Sequence, residues 1–301
     1  MDVSNADRIV FPDDGITKGA VVAHYESVSI PMMPFVSGRA LTVERYPKGT
    51  GAKGFMQKNA PDHFPDDLIG RHEVAKEDGG TTVYPVVRVP AAIPAFANLG
   101  VITFHAPATS VADDTRADWL IWDLDPPPGA FAAVRVAAGE LRAVLAGLGI
   151  ETVVMTSGSN GYHLRARAEP HVDVGLGAGI ARGTAALAAA AHPDLMTLAF
   201  RKSERGERVF VDWLRNAPYS TSVVPWSLRP RPGAPVAVPI SWDELDDIDP
   251  NGLTLGMVPG RLSSDPWGGH GGTDFDSIAP HVDSALADAG IELEPFDRFR
   301  S

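Results

Sequence analysis

Apolar and polar residues alternate over several short stretches of the chain, and stretches with helical spacing separate them. Strict alternation is typical of strands with one buried face. Strands are predicted in RALTVERYP, TTVYPVVRV, GVITFHAPA, ADWLIWDLD, ETVVMT, YHLRARAE and ERVFVDWL. Helices are predicted over 17–30, 130–149, 176–192 and 274–290. Helices and strands mixed from end to end predict an α/β or α+β fold, and we expect residues 1–301 to form one domain.

Turn and cap signals set the limits of these elements. Thr17 is a suitable N-cap for the first helix, which we expect to end before Pro31. The Asn160-Gly161 pair favours positive φ in a turn between two strands. The proline-rich segment 233–265 is expected to wrap the surface.

Composition narrows the class of protein. The chain has 301 residues, a net charge of −12 and no cysteine. The charge argues against nonspecific coating of nucleic acid but allows a local basic groove. Arginines and lysines do cluster at 39–58 and 201–231, either as solvated surface or as such a groove. Without cysteine a thiolate zinc site is excluded, and we expect no zinc.

The cellular location is predicted from the N-terminus and from the lengths of the apolar stretches. The acidic N-terminus lacks the apolar segment of a secretory signal. No stretch reaches the 18–20 uncharged apolar residues typical of a membrane span. We therefore expect a cytoplasmic protein with no membrane partner.

Two carboxylates interrupt the most apolar strand. Alternation places Leu120, Trp122 and Leu124 on one face and Asp123 with Asp125 on the other. Adjacent carboxylates repel each other, so one is protonated or both share a cation. An oxygen-liganded divalent ion such as Mg²⁺ or Mn²⁺ satisfies this requirement. Two solvated acids at a strand end are the alternative.

A third strand acid favours the metal. Asp212 lies among apolar neighbours in RVFVDWLRN and is costly to bury without a partner. Three strand carboxylates with divalent metal are the minimum for two-metal phosphoryl or nucleotidyl transfer. Spacing alone does not show that Asp212 meets Asp123.

The intervening TSGSNGYH segment can contact phosphate. Ser157, Gly158 and Ser159 offer hydroxyl and backbone N–H groups. His163 follows on the next strand and could donate a hydrogen bond to phosphate. An ordinary hairpin with a surface histidine is the alternative.

These blocks together resemble the primase-polymerase domain of bacterial end-joining ligase D proteins, within the archaeo-eukaryotic primase superfamily. The matching blocks are DLDP, TSGSxGxH and VxVDWLxN, with FPDDGITKG, GFMQKNAP, ANLGVITFH and SVVPWSLRPRPGAPVAVPISWDEL outside them. They cover nearly the whole chain in order. The resemblance implies mixed or antiparallel sheets flanked by helices, and template-directed addition of ribo- or deoxyribonucleotides.

The resemblance also implies roles for individual residues. Asp123, Asp125 and Asp212 would bind Mn²⁺ or Mg²⁺, with His105 also in the active site. Further matches would hold the incoming triphosphate (Ser157, Ser159, His163 and Arg229). Others would contact DNA, either at the 5′-phosphate of a gap (Lys18 and Arg8) or at the template (Phe55 and Lys58).

Three departures from the family pattern stand out. Asn160 replaces a common lysine and removes one positive charge near the phosphates. Met56 replaces the second phenylalanine of the template loop and stacks less firmly on a base. The chain stops at Ser301, so a ligase is expected on another chain. The other implied partners are gapped or broken DNA, nucleoside triphosphates and the Ku end-binding protein, and we expect a monomer associated with the nucleoid.

Parts of the sequence pattern also fit other functions. A phosphohydrolase with an aspartyl nucleophile also uses D-x-D, but it usually carries threonine where Pro127 stands. A catalytically weak DNA-end binder would retain the fold without turnover. The KEDG stretch at 76–79 fits the K-x-D-G of nucleotidyl ligases, but it has none of their further motifs and is interpreted as a turn.

Overall fold

Mixed helices and strands make up the computed structural model, which describes residues 2–76 and 79–294. The strands are β1 Ile9–Phe11, β2 Ile16–Thr17, β3 Thr42–Arg45, β4 Phe55–Gln57, β5 Ile69–Ala75, β6 Thr81–Val87, β7 Val101–Ala106, β8 Arg116–Asp125, β9 Val153–Thr156, β10 Tyr162–Asp173, β11 Met196–Thr197, β12 Val209–Asp212, β13 Ser222–Val223 and β14 Pro239–Ile240. The helices are α1 Lys18–Ser27, α2 Ser29–Val36, α3 Ala92–Asn98, α4 Phe131–Gly147, α5 Val174–Ala191, α6 Lys202–Arg205 and α7 Phe275–Asp288.

Two sheets organise these elements. The larger sheet has six strands in the order β11–β12–β8–β10–β9–β14, and the smaller has four in the order β13–β7–β3–β4. Strands β1 and β2, and strands β5 and β6, form separate two-stranded sheets. Among the described strands every pairing is antiparallel except β11 with β12. The predicted α+β class with mixed sheets is confirmed.

The alternation of β8 determines which face of the large sheet is buried. Leu120, Trp122 and Leu124 are fully buried, as predicted. The indole of Trp122 donates to the Ala181 carbonyl and the Thr184 hydroxyl of α5, both at 3.1 Å. Helices α4 and α5 therefore cover this face, and the opposite face carries the acids.

Helix α5 is rich in small residues because it packs closely on both sides. A Cβ on Gly177 would lie 3.2 Å from Leu120 of β8, and one on Gly183 would lie 2.8 Å from Val282 of α7. By length and composition α5 is the one described helix that could cross a membrane, and 56% of it is buried inside the fold. That burial is typical of a core helix.

The first and last predicted helices are present, and an additional helix follows the first. Thr17 caps α1, since its side chain accepts from the Ala20 amide at 3.2 Å. Helix α1 ends at Ser27, before Pro31 as predicted, but the separate helix α2 follows it and contains Pro31. A proline in the first turn is tolerated because its nitrogen needs no helical partner there. The helix predicted over 274–290 is present as α7.

The prediction that segment 233–265 wraps the surface is wrong for its first part. Val236 and Val238 are fully buried, and β14 pairs with β9 at the edge of the large sheet. Alternating apolar residues outweigh the prolines here, since an edge strand tolerates proline. Strands β1, β2, β4, β5, β11, β13 and β14 and helices α2, α3 and α6 were not predicted. The KEDG stretch, interpreted as a turn, lies between β5 and β6, and its Glu77 and Asp78 lie outside the described residues.

The 39–58 cluster of basic residues is also only partly a solvated surface. Arg39 and Arg45 are buried, and Arg39 forms an ion pair with Asp118. Arg45 donates to the Leu99 carbonyl at 2.7 Å. These two arginines stabilise the fold instead of forming a groove.

A buried histidine makes folding depend on pH. His24 of α1 lies 2.9 Å from the Trp226 carbonyl, and burial lowers its pKa from 6.5 to about 4. In the unfolded chain His24 is therefore protonated as the pH falls below about 6.5, whereas in the folded chain it stays neutral until the pH is near 4. We expect this group to reduce the free energy of unfolding as pH falls from 6.5 to about 4, by up to about 3 kcal/mol.

Chemical denaturation of the wild type and of His24→Gln across this pH range would check this. Glutamine keeps a donor for the Trp226 carbonyl but does not titrate, so the difference between the two curves should shrink as the pH falls. Parallel curves would show that His24 does not contribute.

Candidate active site

Three neighbouring strands bring the predicted metal ligands together. In β8, Asp123 is paired with Asp212 of β12 on one side and with His163 of β10 on the other. Asp125 lies two residues further on the same face. One carboxylate oxygen from each aspartate lies within 4.8 Å of the others. The structure thus supplies the contact between Asp212 and Asp123 that spacing could not show.

The turn after β12 is held by side-chain hydrogen bonds. Asp212 accepts from the Leu214 amide at 3.0 Å. The Asn216 amide group pairs with the backbone of Ile121, accepting at 2.8 Å and donating at 2.7 Å. Buried Trp213 anchors the same turn in the core. The VxVDWLxN spacing therefore clamps β12 onto β8 and fixes the position of Asp212.

An arginine compensates the clustered negative charge. The Nε of Arg215 donates to the Asp123 carboxylate at 3.0 Å, and its Nη2 lies 2.8 Å from the Asp212 carboxylate. No sequence motif assigned Arg215 to the site. The signal in the sequence that could have found it is its position three residues after Asp212, because a 3-10 turn has three residues per turn and returns a side chain to the same face.

The three carboxyl groups differ in their affinity for a proton. Burial raises the pKa of Asp123, but the charges of His163 and Arg215 and hydrogen bonds from both outweigh it and hold that pKa below its usual value. Burial, with repulsion from Asp123 and Asp212, raises the pKa of Asp125 to about 7. Burial likewise raises the pKa of Asp212. Clustered carboxylate oxygens of this kind fit a hard divalent cation. When bound, the cation would compensate the negative charge that Arg215 compensates in its absence.

A polar cavity of about 320 Å³ opens beside the carboxylates. It collects the predicted His105, Asp123, Asp125, Ser157, Ser159, His163 and Arg229. It also collects residues that no prediction assigned to it, including the cations Lys202, Arg215 and Arg231. The 201–231 group of basic residues thus contributes to a local basic groove. Asn160 lines the cavity where the family commonly has lysine.

The TSGSNGYH turn is tighter than predicted. The positive φ lies at Gly158, at 63°, and not at the Asn160-Gly161 pair. A Cβ on Gly158 would lie 2.7 Å from Arg229, and one on Gly161 would lie 1.7 Å from the Leu124 carbonyl. Both glycines are therefore required for close approach, one to the Arg229 side chain and the other to β8.

Internal hydrogen bonds also change what the turn offers to a ligand. The Ser157 hydroxyl accepts from the amides of Ser159 and Gly161, both at 3.2 Å, and the Ser157 amide donates to Gly161. The expected nest of free amides at Ser157 and Ser159 is therefore occupied by the turn itself. Ser157, Ser159 and Asn160 line the cavity, but the Ser157 and Ser159 amides are engaged within the turn.

Several buried nitrogens at the cavity have no hydrogen-bond partner in the described chain: His105 Nδ1, His163 Nδ1 and Arg229 Nε. Burial, with the nearby cations Arg229 and Arg215, lowers the pKa of His105 to about 3, so its ring is neutral at pH 7. Arg229 Nε is a donor, whereas each histidine Nδ1 donates or accepts according to its tautomer. An unsatisfied buried donor is costly unless a ligand meets it, so Arg229 favours an anionic ligand.

The segment that carries Arg229 is fixed from three sides. Trp226 adopts a φ of 70°, which is strained for an aromatic residue, and its carbonyl contacts His24. The Leu228 amide donates to the Tyr25 hydroxyl at 3.0 Å. The Leu228 carbonyl accepts from Thr103 at 2.8 Å. These bonds hold the backbone beside Arg229 in one position.

The four residues predicted to contact DNA lie outside this cavity. Lys18 is buried, and its ammonium donates to the carbonyl and hydroxyl of Ser4 at 2.8 and 2.7 Å. Arg8 donates to the Pro47 carbonyl at 2.7 Å. Phe55 on edge strand β4 is 47% exposed and its neighbour Met56 is 52% exposed, with Lys58 also exposed.

Comparisons with known proteins identify relatives of the chain. The family described as LigD, primase-polymerase domain, matches residues 17–267. The multifunctional non-homologous end joining protein LigD of Mycolicibacterium smegmatis is 33% identical over 95% of this chain and 37% of its own length. The bifunctional LigD protein of Bacillus subtilis is 28% identical over 87% of this chain and 42% of its own length. The chain thus spans about two fifths of these relatives.

A solved structure agrees with the sequence relatives. The polymerase domain from Mycobacterium tuberculosis ligase D, in complex with DNA, is similar to this chain with a TM-score of 0.82. The two are 32% identical, and the match covers 88% of this chain and 95% of that one.

Arg215 provides a test of the electrostatics of the site. In Arg215→Gln, Asp123 and Asp212 lose a partner, and removing one partner of a buried pair costs about 3 kcal/mol. We expect the melting temperature in EDTA to fall by roughly 5–10 °C, and Mn²⁺ to raise it more than in the wild type.

Thermal denaturation with and without Mn²⁺ measures both effects. Arg201→Gln is the matched control, because Arg201 belongs to the same basic stretch but its side chain is 82% exposed and pairs only with Glu204. An equal response to Mn²⁺ in Arg215→Gln and the wild type would contradict the compensation argument.

Proposed function

The chain belongs to the LigD primase-polymerase domain family, and we propose that it adds ribo- or deoxyribonucleotides to a primer in a template-directed reaction at gaps and broken DNA ends. The observation that carries this proposal is the juxtaposition of three strand carboxylates with a cation-lined cavity that holds unsatisfied donors. Nucleotidyl transfer needs both features, one for metal and one for triphosphate.

Asp123, Asp125 and Asp212 would hold Mn²⁺ or Mg²⁺. When bound, the metal lowers the pKa of the attacking 3′-hydroxyl and neutralises charge on the departing pyrophosphate. Around it, this chain's own residues position the reactants. Arg215 neutralises the carboxylates in the metal-free state, and the DWLxN turn keeps Asp212 in register with Asp123.

The cavity beside the carboxylates would bind the triphosphate. His163 and Arg229 each carry an unpartnered buried nitrogen there, and the side chains of Ser157 and Ser159 face the same space. Lys202 and Arg231 add positive charge that offsets the missing lysine at Asn160. His105 stays neutral and can donate a hydrogen bond without adding charge.

DNA would contact surfaces outside the cavity. The exposed Phe55 and Met56 on an edge strand can stack on template bases, with Lys58 near the phosphates. Lys18 and Arg8 would bind the 5′-phosphate of a gap. For this, the Lys18 ammonium must exchange its contacts with Ser4 for the phosphate oxygens.

The wider role is a further part of the proposal. The relatives' descriptions as non-homologous end joining proteins support action on broken DNA in repair. A Ku protein and a separate ligase are further partners in this proposal. Such work would place the chain in the cytoplasm at the nucleoid. The proposal includes a chain that acts as a monomer.

Loss of a metal ligand should abolish synthesis. In Asp125→Asn we expect primer extension on a gapped duplex to fall at least about 100-fold, because even the partners of metal ligands contribute 10–100-fold. DNA binding should stay within about twofold. Extension with Mn²⁺ and each nucleotide set supplied separately, and DNA binding by fluorescence anisotropy, are the measurements.

Asp283→Asn on the exposed face of α7 is the matched control and should extend normally. Hydrolysis of a phosphate ester without DNA by the wild type would instead favour a phosphohydrolase. Binding without turnover in the wild type would favour a DNA-end binder.

Lys18 should determine the preference for a 5′-phosphate. In Lys18→Met, which preserves the buried stem, we expect the ratio of extension on phosphorylated to unphosphorylated gaps to fall about tenfold. Lys53→Met, at an exposed lysine, is the control. An unchanged ratio in a variant with wild-type melting temperature would remove Lys18 from the phosphate site.

A further inference from the structure

A second cavity, of about 420 Å³, lies on the same sheet face as the acids but at the other end of the strands. Trp119 of β8 lines it, four residues before Asp123, which is about 13 Å along a strand. Arg165 of β10 lines it two residues after His163. Buried Met155 and Val223 pack together outside the main core and against Trp267 of this cavity. The cavity is therefore separate from the site of the carboxylates.

Aromatic rings form the walls of this second cavity. Phe35 lies 6.2 Å from Trp119 and 5.6 Å from Trp267, and the two tryptophans lie 5.9 Å apart, between ring centroids. The indole of Trp267 donates to the Val154 carbonyl at 2.9 Å, which fixes its orientation. The aromatic part of the wall is thus apolar, as in sites that bind small organic groups.

One wall residue is a buried arginine that lacks polar partners. Arg165 is 4% exposed, and its Cζ lies 5.5 Å from the Phe35 ring centroid and 5.4 Å from that of Trp119. Its Nε and Nη1 have no hydrogen-bond partner in the described chain. Burial and the neighbouring Arg39 lower the pKa of Arg165 to about 9, so it remains charged at pH 7.

The charges around Arg165 do not balance. Arg39 forms an ion pair with Asp118 and also donates to the carbonyls of Pro107 and Thr109. That pair is neutral as a unit, so the half-buried Asp118 attracts Arg165 but does not fully compensate it, and the three groups together carry one positive charge. An uncompensated buried charge is strongly unfavourable, and its presence in an open cavity points to an anionic ligand.

We propose that this cavity binds a carboxylate attached to an apolar group of side-chain size. A carboxylate matches a guanidinium in shape and accepts two hydrogen bonds from it. Its single charge matches that of Arg165. A phosphomonoester carries about −1.5 to −2, so Glu151 and Asp265, which line the cavity together with Arg167, would repel it more strongly than they would a carboxylate. The apolar part would lie against Phe35, Trp119 and Trp267.

The carboxylate has two conceivable sources with the same chemistry. It is the end of a peptide chain whose last residue is apolar, or it is a free organic acid. The proposal does not depend on polymerase activity, because its test uses neither DNA nor nucleotide.

The first test compares 3-phenylpropanoate with 3-phenylpropanamide by isothermal titration calorimetry on the full chain. The two probes share their shape and differ in charge. We expect the acid to bind at least tenfold more tightly than the amide. Equal affinity of the two, or no binding of either, would overturn the proposal.

Two variants locate the binding site. Arg165→Met should abolish binding of the acid, whereas Arg142→Met should preserve it, because Arg142 stacks on Trp242 outside the cavity. Ser264→Trp alters an exposed residue at the cavity and should block entry without changing the core. If Arg165→Met does not fold, retained binding by folded Ser264→Trp overturns the assignment, and loss of binding supports it.

A second pair of probes separates the sources. The dipeptide acetyl-Ala-Phe with a free C-terminus is compared with its C-terminal amide. Tighter binding of the free dipeptide than of 3-phenylpropanoate would assign the cavity to a chain terminus, and the reverse order would assign it to a small acid. Indifference to the C-terminal amide, with both peptides bound, would overturn recognition of a carboxylate.

Discussion

The carboxylates of Asp123, Asp125 and Asp212 repel one another across less than 4.8 Å, on a sheet face that excludes much of the solvent. The fold tolerates this because His163 and Arg215 lie against Asp123, while Asp125 keeps a raised pKa. The arrangement is stable enough to fold, yet it is improved by any cation that binds all three carboxylates. A site under this kind of electrostatic stress is suited to a metal.

The rest of the site is built to hold those strands in register. Asn216 clamps the turn after β12 to β8, and Gly161 lets the start of β10 approach the Leu124 carbonyl. Across the cavity, Tyr25 and Thr103 fix the backbone beside Arg229. These four residues do not line the cavity themselves, but each of them fixes the position of a strand or segment that carries a residue of the candidate site. Small changes at these positions are therefore transmitted directly to the cavity.

The same two strands serve two cavities through one alternation. On β8 and β10, the residues that face away from α4 and α5 include Asp123 and His163 at one end, and Trp119 and Arg165 at the other. One end concentrates acids that attract a cation, and the other leaves one arginine without a counterion. The charges at the two ends of these strands have opposite signs. Four residues along one strand are therefore enough to change the kind of ligand that the sheet face favours.

The sequence by itself determined the elements with strong local signals and supplied the candidate side chains of the site. The alternation of β8 predicted its buried face, Thr17 predicted the start of α1, and ordered motifs predicted the family. Local signals failed where distant packing decided the structure. Val236 and Val238 are buried despite the neighbouring prolines, and the positive φ lies at Gly158, beside Arg229, and not at the Asn160-Gly161 pair.

Only the tertiary structure decided which charges meet. Arg215 lies 92 residues from Asp123 in the chain, and Arg165 is left unpaired because Arg39 is the partner of Asp118. Hydrophobic periodicity is a property of neighbours in sequence, so it can be read from the chain. Pairing of charges depends on strand order and register, which only the packed sheet supplies.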